Sequence, residues 1–407
     1  MSSISSFKVD IPEEKLQRLH QKLALTDFPD ETTDLDSDEL WSRGAPLADV
    51  KRLTAYWQNG FDWRKAEVAL NTFPQYITGI EIEGFGIYQI HFVHQLSNVT
   101  GAIPLLFLHG WPGSFIEVTK ILPLLLNGGD SGPSFHVIAP SLVDFGFSSP
   151  SRKKGFQIGQ HAEAYHNLML ALGYDQYVVQ AGDLGSLVGR SIASTYGPKN
   201  CKAFHTNSAV PAEPTVESHP ELYAKVQATQ LSDFDKAGLE RTAYFSQEGQ
   251  GYYKQQATKP QTIGYSLTDS PVGLLSWLYE KLHDWTDKYS WTDDEILTWV
   301  SIYYFSTAGP AASSYIYYII EHSDPGAFAA SQKYIDVPLG IARFAKDLIL
   351  LPKLWNKSLG PIVLEGEYSK GGHFAAWECP EDIVRDLRTM FGEGGPAGGC
   401  VESKDSF

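Results

Sequence analysis

From residue 103 onward, short apolar runs alternate with helically spaced stripes, and this alternation constrains the fold more than any other feature. Ile103 to Leu108 reads as a buried strand. Phe115 to Leu126 follows with helical spacing, and Phe135 to Ala139 is the next strand. Ile158, Tyr165, Leu168, Met169 and Leu172 mark a helix closed by Gly173. Tyr177 to Ala181 and Ala203 to Thr206 continue the series. Such a rhythm predicts a mostly parallel sheet with helices on both faces, because parallel neighbours need a covering crossover. It stops near residue 210. Residues 211–335 are rich in Tyr, Trp and Gln and read as helices, and strands resume near Val337 and at Pro361 to Leu364. A helical insertion between two parts of one sheet is the arrangement expected of a lid. A last helix carries Ile383, Leu387, Met390 and Phe391 on its core face.

Ahead of the sheet, residues 1–100 form an extension. It is helical after a short extended start, with stripes at Leu16, Leu19, Leu23 and at Val50, Leu53, Trp57. An acidic loop, Asp27 to Asp38, lies between them. Alternating apolar residues around Gly84-Phe85-Gly86 predict a hairpin that joins the sheet. The expected division is therefore extension 1–100, core 101–210, lid 211–335, core 336–391 and a frayed, glycine-rich tail 392–407.

Composition narrows the partners. The 407 residues carry 48 acidic and 32 basic side chains, a formal charge of −16 that repels a phosphate backbone, so no nucleic-acid partner is expected. Three scattered cysteines suit neither a disulfide framework nor a zinc site. His91 and His94 fall on opposite faces of a strand and make a poor metal pair. No secretory pattern opens the chain, and no apolar run approaches the roughly 20 residues that span a bilayer. The expectation is a soluble, cytoplasmic protein without cofactor, metal or membrane contact. The extension can wrap its own core or a neighbour's, which leaves room for a homodimer.

The chemistry concentrates at Val178-Val-Gln-Ala181-Gly182-Asp183-Leu184-Gly185-Ser186. A strand that turns sharply into a helix needs small residues two before and two after the turning residue. With Asp183 at the turn these are Ala181 and Gly185; with Ser186 they would be Leu184 and Val188, which are too bulky. An Asp here also commonly caps a helix, and the segment alone leaves the two readings even. Context favours the turn. His109-Gly110-Trp111-Pro112 follows an earlier strand, so the Trp111 N–H can join that of Leu184 as a two-donor oxyanion hole, with His109 shaping the loop. Lys370-Gly371-Gly372-His373 supplies a histidine late in the chain, the order nucleophile, acid, histidine used by α/β-hydrolases. Asp347, Glu365 and Glu367 lie between. Asp347 follows a separate strand and can approach the imidazole from the side, which makes it the preferred acid. A carboxylate nucleophile that attacks saturated carbon forms an ester that water can cleave, where a serine would form an inert ether. The substrates implied are epoxides and alkyl halides.

These motifs, taken in order, resemble the microsomal-type epoxide hydrolases and in particular their soluble fungal members. The resemblance rests on Trp57-Gln-Asn-Gly-Phe-Asp-Trp-Arg64, His109-Gly-Trp-Pro-Gly-Ser114, Gly182-Asp-Leu-Gly-Ser186, Gly251-Tyr252 with Thr258-Lys-Pro260, Asp269-Ser-Pro-Val-Gly-Leu274 and Gly371-Gly-His-Phe-Ala375. It spans the chain to about Phe391. It implies an α/β-hydrolase fold with an epoxide and water as substrates and a vicinal diol as product. Asp183 is the implied nucleophile, His373 the base and Asp347 its orienting acid. Tyr252 and Tyr317 are implied to protonate the epoxide oxygen, with Tyr318 and Tyr315 as alternatives to Tyr317. The membrane-bound members carry an N-terminal anchor helix, and none is expected here, since the helical extension begins close to residue 1. Two other functions fit the scaffold: a haloalkane dehalogenase, which usually has an indole where Leu184 stands, and a silent small-molecule binder, which would commonly have lost a triad member.

Overall fold

The apolar runs at 103–108, 135–140, 177–181 and 201–206 lie side by side as the middle of one sheet in the computed structural model, which describes residues 3–37, 39–128 and 132–402. In chain order the strands are β1 (Ser5–Phe7), β2 (Gln75–Ile82), β3 (Gly86–Gln95), β4 (Ile103–Leu108), β5 (Phe135–Pro140), β6 (Tyr177–Ala181), β7 (Cys201–Thr206), β8 (Leu339–Phe344) and β9 (Ile362–Tyr368). They are arranged β1-β2-β3-β5-β4-β6-β7-β8-β9. From β5 through β9 all pairs are parallel, while β1, β2 and β3 add antiparallel strands at one edge. This is the α/β-hydrolase sheet, mostly parallel as the alternation predicts. Residues 177–181 of β6 are all fully buried, which is why they read as a continuous run and not as an alternating one.

β4 has β5 on one side and β6 on the other, so the chain departs in opposite directions at this point. A crevice opens at the carboxyl ends of strands where the order reverses. The loop after β4 and the turn after β6 therefore meet: Leu108 pairs with Ala181, and the Gly182 N–H reaches the Leu108 carbonyl.

Between β7 and β8 the described residues form helices and no strand, from Pro220–Ala228 to Ala327–Ser331. Two of these helices are tied to loops at the carboxyl ends of strands, one to the loop after β4 and the other to the loop after β9. Within Asp293–Tyr304, the Trp299 indole donates to the Pro112 carbonyl at 2.5 Å and the Tyr303 hydroxyl to that of Gly113 at 2.6 Å. After the helix Pro271–Asp284, the Trp285 carbonyl accepts the His373 N–H at 2.8 Å.

The N-terminal helices Glu13–Ala24 and Leu47–Asn59 bury their predicted stripes against each other and against these same helices. Lys22 pairs with Asp269 at 2.7 Å, Arg52 with Asp293 at 2.5 Å, and the Tyr56 hydroxyl with Asp294 at 2.9 Å. Trp41, in the loop between the two helices, stacks flat on His283, with centroids 3.5 Å apart. Of that acidic loop, Asp38 lies outside the described residues.

The tail departs from expectation. Residues 392–402 are not frayed: Ala397 is buried, its N–H bonds the Met390 carbonyl, and the Glu402 N–H bonds the Gln176 side chain. Glycine-rich chain without periodicity can still pack when its turns close on themselves, as the Gly392–Gly395 and Gly395–Gly398 backbone bonds do here. Residues 403–407 of the predicted tail lie outside the described residues.

Candidate active site

The bend after β6 is as tight as its residues suggest. Asp183 has φ +45°, a left-handed conformation that costs a non-glycine residue energy and is met mostly at functional turns. Gly185 permits the close approach, since a Cβ there would lie 2.4 Å from the Leu108 carbonyl oxygen. Gly110 clears the other side, where a Cβ would fall 2.3 Å from Asp183 Oδ1. The Asp183 carboxylate does not cap its helix; it projects over the crevice. Oδ1 accepts the Trp111 N–H at 2.8 Å, and Oδ2 stands 3.2 Å from His373 Nε2. Ser186, the other register, is buried with its hydroxyl against Thr206 and the Ser208 carbonyl.

Trp111 thus offers its backbone N–H beside Asp183. Leu184 is the second residue of the helix Asp183–Tyr196, so its N–H is one of the first-turn donors that has no partner within a helix. His109 bonds the Leu142 N–H through Nε2 at 3.1 Å, holding the loop, and burial lowers its pKa to about 4.

His373 and Asp347 come from loops after different strands. Asp347, three residues beyond β8, accepts the Leu348 N–H, and its Oδ1 lies 2.7 Å from His373 Nδ1. Glu365 instead bonds Asn356, and Glu367 bonds Arg343. Burial alone would lower the His373 pKa, but Asp347 and Asp183 on either side outweigh it and raise it to about 10. The Nε2 atom is buried and makes no aligned hydrogen bond within the protein, despite its closeness to Asp183.

Above the carboxylate lies a cavity of about 240 Å³, lined by Asp183, Leu187, Phe245, Tyr252, Tyr317 and Leu348 among others. Tyr252 and Tyr317 reach it from the helices Gly251–Thr258 and Tyr315–His322, and their rings meet edge to face at 5.7 Å. Burial, reinforced by the Asp183 charge, pushes both phenols well above their ordinary range. The Tyr317 hydroxyl is buried and has no hydrogen-bond partner in the protein. Tyr318 instead stacks on His322 at the surface, and Tyr315 bonds Gln261. A π-helical turn, Phe245–Gly249, precedes Tyr252, a widening often found beside functional sites.

Sequence reasoning passed over the residues that hold these groups in place. Glu378 accepts N–H bonds from Gly372 and Asp287, and Asp287 accepts that of Gly371, so two carboxylates brace the histidine loop. Trp111 stacks on Tyr252 at 4.9 Å, linking the loop after β4 to the helices between β7 and β8. Glu117 sits among Asp183, His373 and Gly110. A carboxylate five residues beyond His373, and another eight beyond His109, were the available signals. Among the described residues no His, Cys, Asp and Glu group could hold a metal ion, and no helix is long and apolar enough to cross a membrane.

Residues 4–118 match the family model for the epoxide hydrolase N terminus, and residues 103–380 match that for the alpha/beta hydrolase fold. Epoxide hydrolase 1 of Sus scrofa is 34% identical, covering 96% of this chain and 89% of that protein. The Aspergillus niger epoxide hydrolase structure superposes with a TM-score of 0.79 at 34% identity, covering 95% of each chain. That of the juvenile hormone epoxide hydrolase of the silkworm Bombyx mori gives 0.85 at 28% identity, covering 95% of this chain and 93% of that one. The chain is a hydrolase that belongs to the epoxide hydrolase family, built on the α/β-hydrolase fold.

Proposed function

We propose that the protein adds water to an epoxide in two steps, through an ester on Asp183. In the first, Oδ2 attacks a ring carbon while the C–O bond breaks, and Tyr252 or Tyr317 gives its proton to the departing oxygen. The observation that carries this reading is the Asp183 carboxylate itself: one oxygen on the Trp111 N–H, the other 3.2 Å from His373 Nε2, and two buried phenols lining the same cavity. A phenol kept protonated by burial is a donor that does not lose its proton to solvent first.

The second step depends on a change of charge. With a pKa near 10, His373 is an imidazolium in the free enzyme and cannot take a proton. Ester formation removes the Asp183 charge, one of the two that hold that pKa up. The imidazolium then yields its proton to the tyrosinate and becomes a base. Water attacks Cγ of Asp183, His373 Nε2 takes its proton, and Oδ1 becomes an oxyanion on the Trp111 and Leu184 N–H groups. Collapse breaks the Cγ–Oδ2 bond, the diol leaves with the proton from His373, and the new carboxylic proton returns to the imidazole. The substrates are a small epoxide and water; no cofactor takes part, and the reaction needs no membrane.

Mixing the enzyme with an aryl epoxide, quenching with acid and weighing the intact protein tests this reading. An adduct of the epoxide's mass on the Asp183 peptide is expected; diol formation with no adduct, even in His373→Gln, would refute it.

A further inference from the structure

We propose that the small cavity behind Asp183, closed by Glu117, is the seat of the water that cleaves the ester, and that Glu117 is the side chain that holds it there. The proposal rests on the two-step reading above. The cavity is distinct from the one facing the tyrosines and is lined by Gly110, Glu117, Gln180, Asp183, Asn207 and His373 among others. Its free volume is about 10 Å³, the space of a single water, and a buried water typically makes about three hydrogen bonds. Three groups are placed to make them. His373 Nε2 and Gln180 Oε1 are both buried without a hydrogen-bond partner in the protein, and both residues line this cavity. The third is the Glu117 carboxyl. Gln180 is oriented by its own amide, which donates to Asn207 at 3.0 Å.

The chain makes room for that carboxyl. A Cβ at Gly113 would fall 1.5 Å from Glu117 Oε1, so the bend after His109 admits the side chain only because residue 113 has none. The Gly110 and Ser114 N–H groups face it, and His373 and Asp183 are near enough to act on its charge. Burial is the largest influence and raises the Glu117 pKa to about 8, so at neutral pH the group is mostly a carboxylic acid. In that form it can donate to the water oxygen while His373 Nε2 takes the proton, leaving a lone pair for Cγ. A carboxyl that merely ties the loop through Gly110 and Ser114 would affect both chemical steps alike, since Trp111 lies in the same loop.

Rapid-quench kinetics with an aryl epoxide on the whole enzyme, Glu117→Gln and Glu117→Ala tells these roles apart. Ring opening is expected to stay within about threefold of wild type in both variants. Ester hydrolysis should slow by about tenfold or more in Glu117→Ala and less in Glu117→Gln, so that ester accumulates and kcat and KM fall together. Equal slowing of both steps, or an ester lifetime unchanged in both variants, overturns the proposal. Should Glu117→Ala fail to fold, the near-isosteric Glu117→Gln reads the same split. A wild-type enzyme that never carries an ester defeats the two-step reading itself, an outcome distinct from an ester whose lifetime ignores residue 117.

Discussion

The two halves of the site are built differently. Asp183, Asp347 and His373 follow the parallel strands β6, β8 and β9 of one sheet, and backbone hydrogen bonds hold their loops: Trp111 N–H on Asp183, Leu348 N–H on Asp347, and the braced loop around His373. Tyr252 and Tyr317 hang from lid helices and are held by rings, with Trp111 flat against one and edge-on to the other at 5.7 Å. Directional bonds on a sheet set positions finely. Ring packing sets them more loosely, and the N-terminal helices then fasten the lid from outside. In the proposed mechanism the covalent chemistry falls to the half held by backbone bonds and proton donation to the half held by ring packing.

Substitutions can break this division of labour. Asp183→Ala removes the proposed nucleophile, and turnover should fall by about 10⁴-fold or more with circular dichroism unchanged. Tyr252→Phe and Tyr317→Phe should each slow ring opening by about 10- to 100-fold, and the double variant more, since proton donation is worth about 10²–10⁴. In each single variant the remaining tyrosinate can still take the imidazolium proton, so ester hydrolysis should keep its rate in the same quench experiment. If it slows equally, the halves are not separate.

Stability sharpens the contrast. Gly185→Ala drives a methyl to 2.4 Å from a backbone oxygen and should cost about 1–3 kcal/mol in chemical denaturation. Gly251→Ala, beside Tyr252 in the lid, meets nothing within 4 Å and should be neutral or stabilising by up to about 1 kcal/mol. The imidazole adds a pH signature. Its pKa rises from 6.5 to about 10 on folding, so its contribution is fully present below pH 6.5 and is lost as pH climbs through about 10. The melting-temperature gap between wild type and His373→Gln should therefore narrow across that window. The smallest effect belongs to the clamp: Asp269 is 87% exposed, and Asp269→Asn should cost less than about 1 kcal/mol.

The same contrast explains what the sequence disclosed. The sheet was legible because burial on both faces writes continuous apolar runs, and the bend at Asp183 because Gly185 and Ala181 are the small residues it needs. Asp347 was legible against Glu365 and Glu367 because a loop after its own strand gave it a side-on approach. The tyrosines were not distinguishable by pattern: in a chain of 21, packing and proton donation use the same residue, and only resemblance pointed to Tyr252 and Tyr317. Glu117 and Glu378 were missed because a carboxylate folded back onto backbone N–H groups leaves no periodic trace. The tail was misjudged because glycine content suggests mobility, while turns that close on their own backbone are invisible to composition.

In the proposed cycle Asp183 is bonded to substrate carbon and then released by water. A single turnover with enzyme in excess, run in ¹⁸O-water, tests it most directly. The expected result is a diol carrying ordinary oxygen at the attacked carbon, with the label in the peptide that contains Asp183. Label in the first diol and none in that peptide would mean that water attacks the epoxide itself, and would contradict the account.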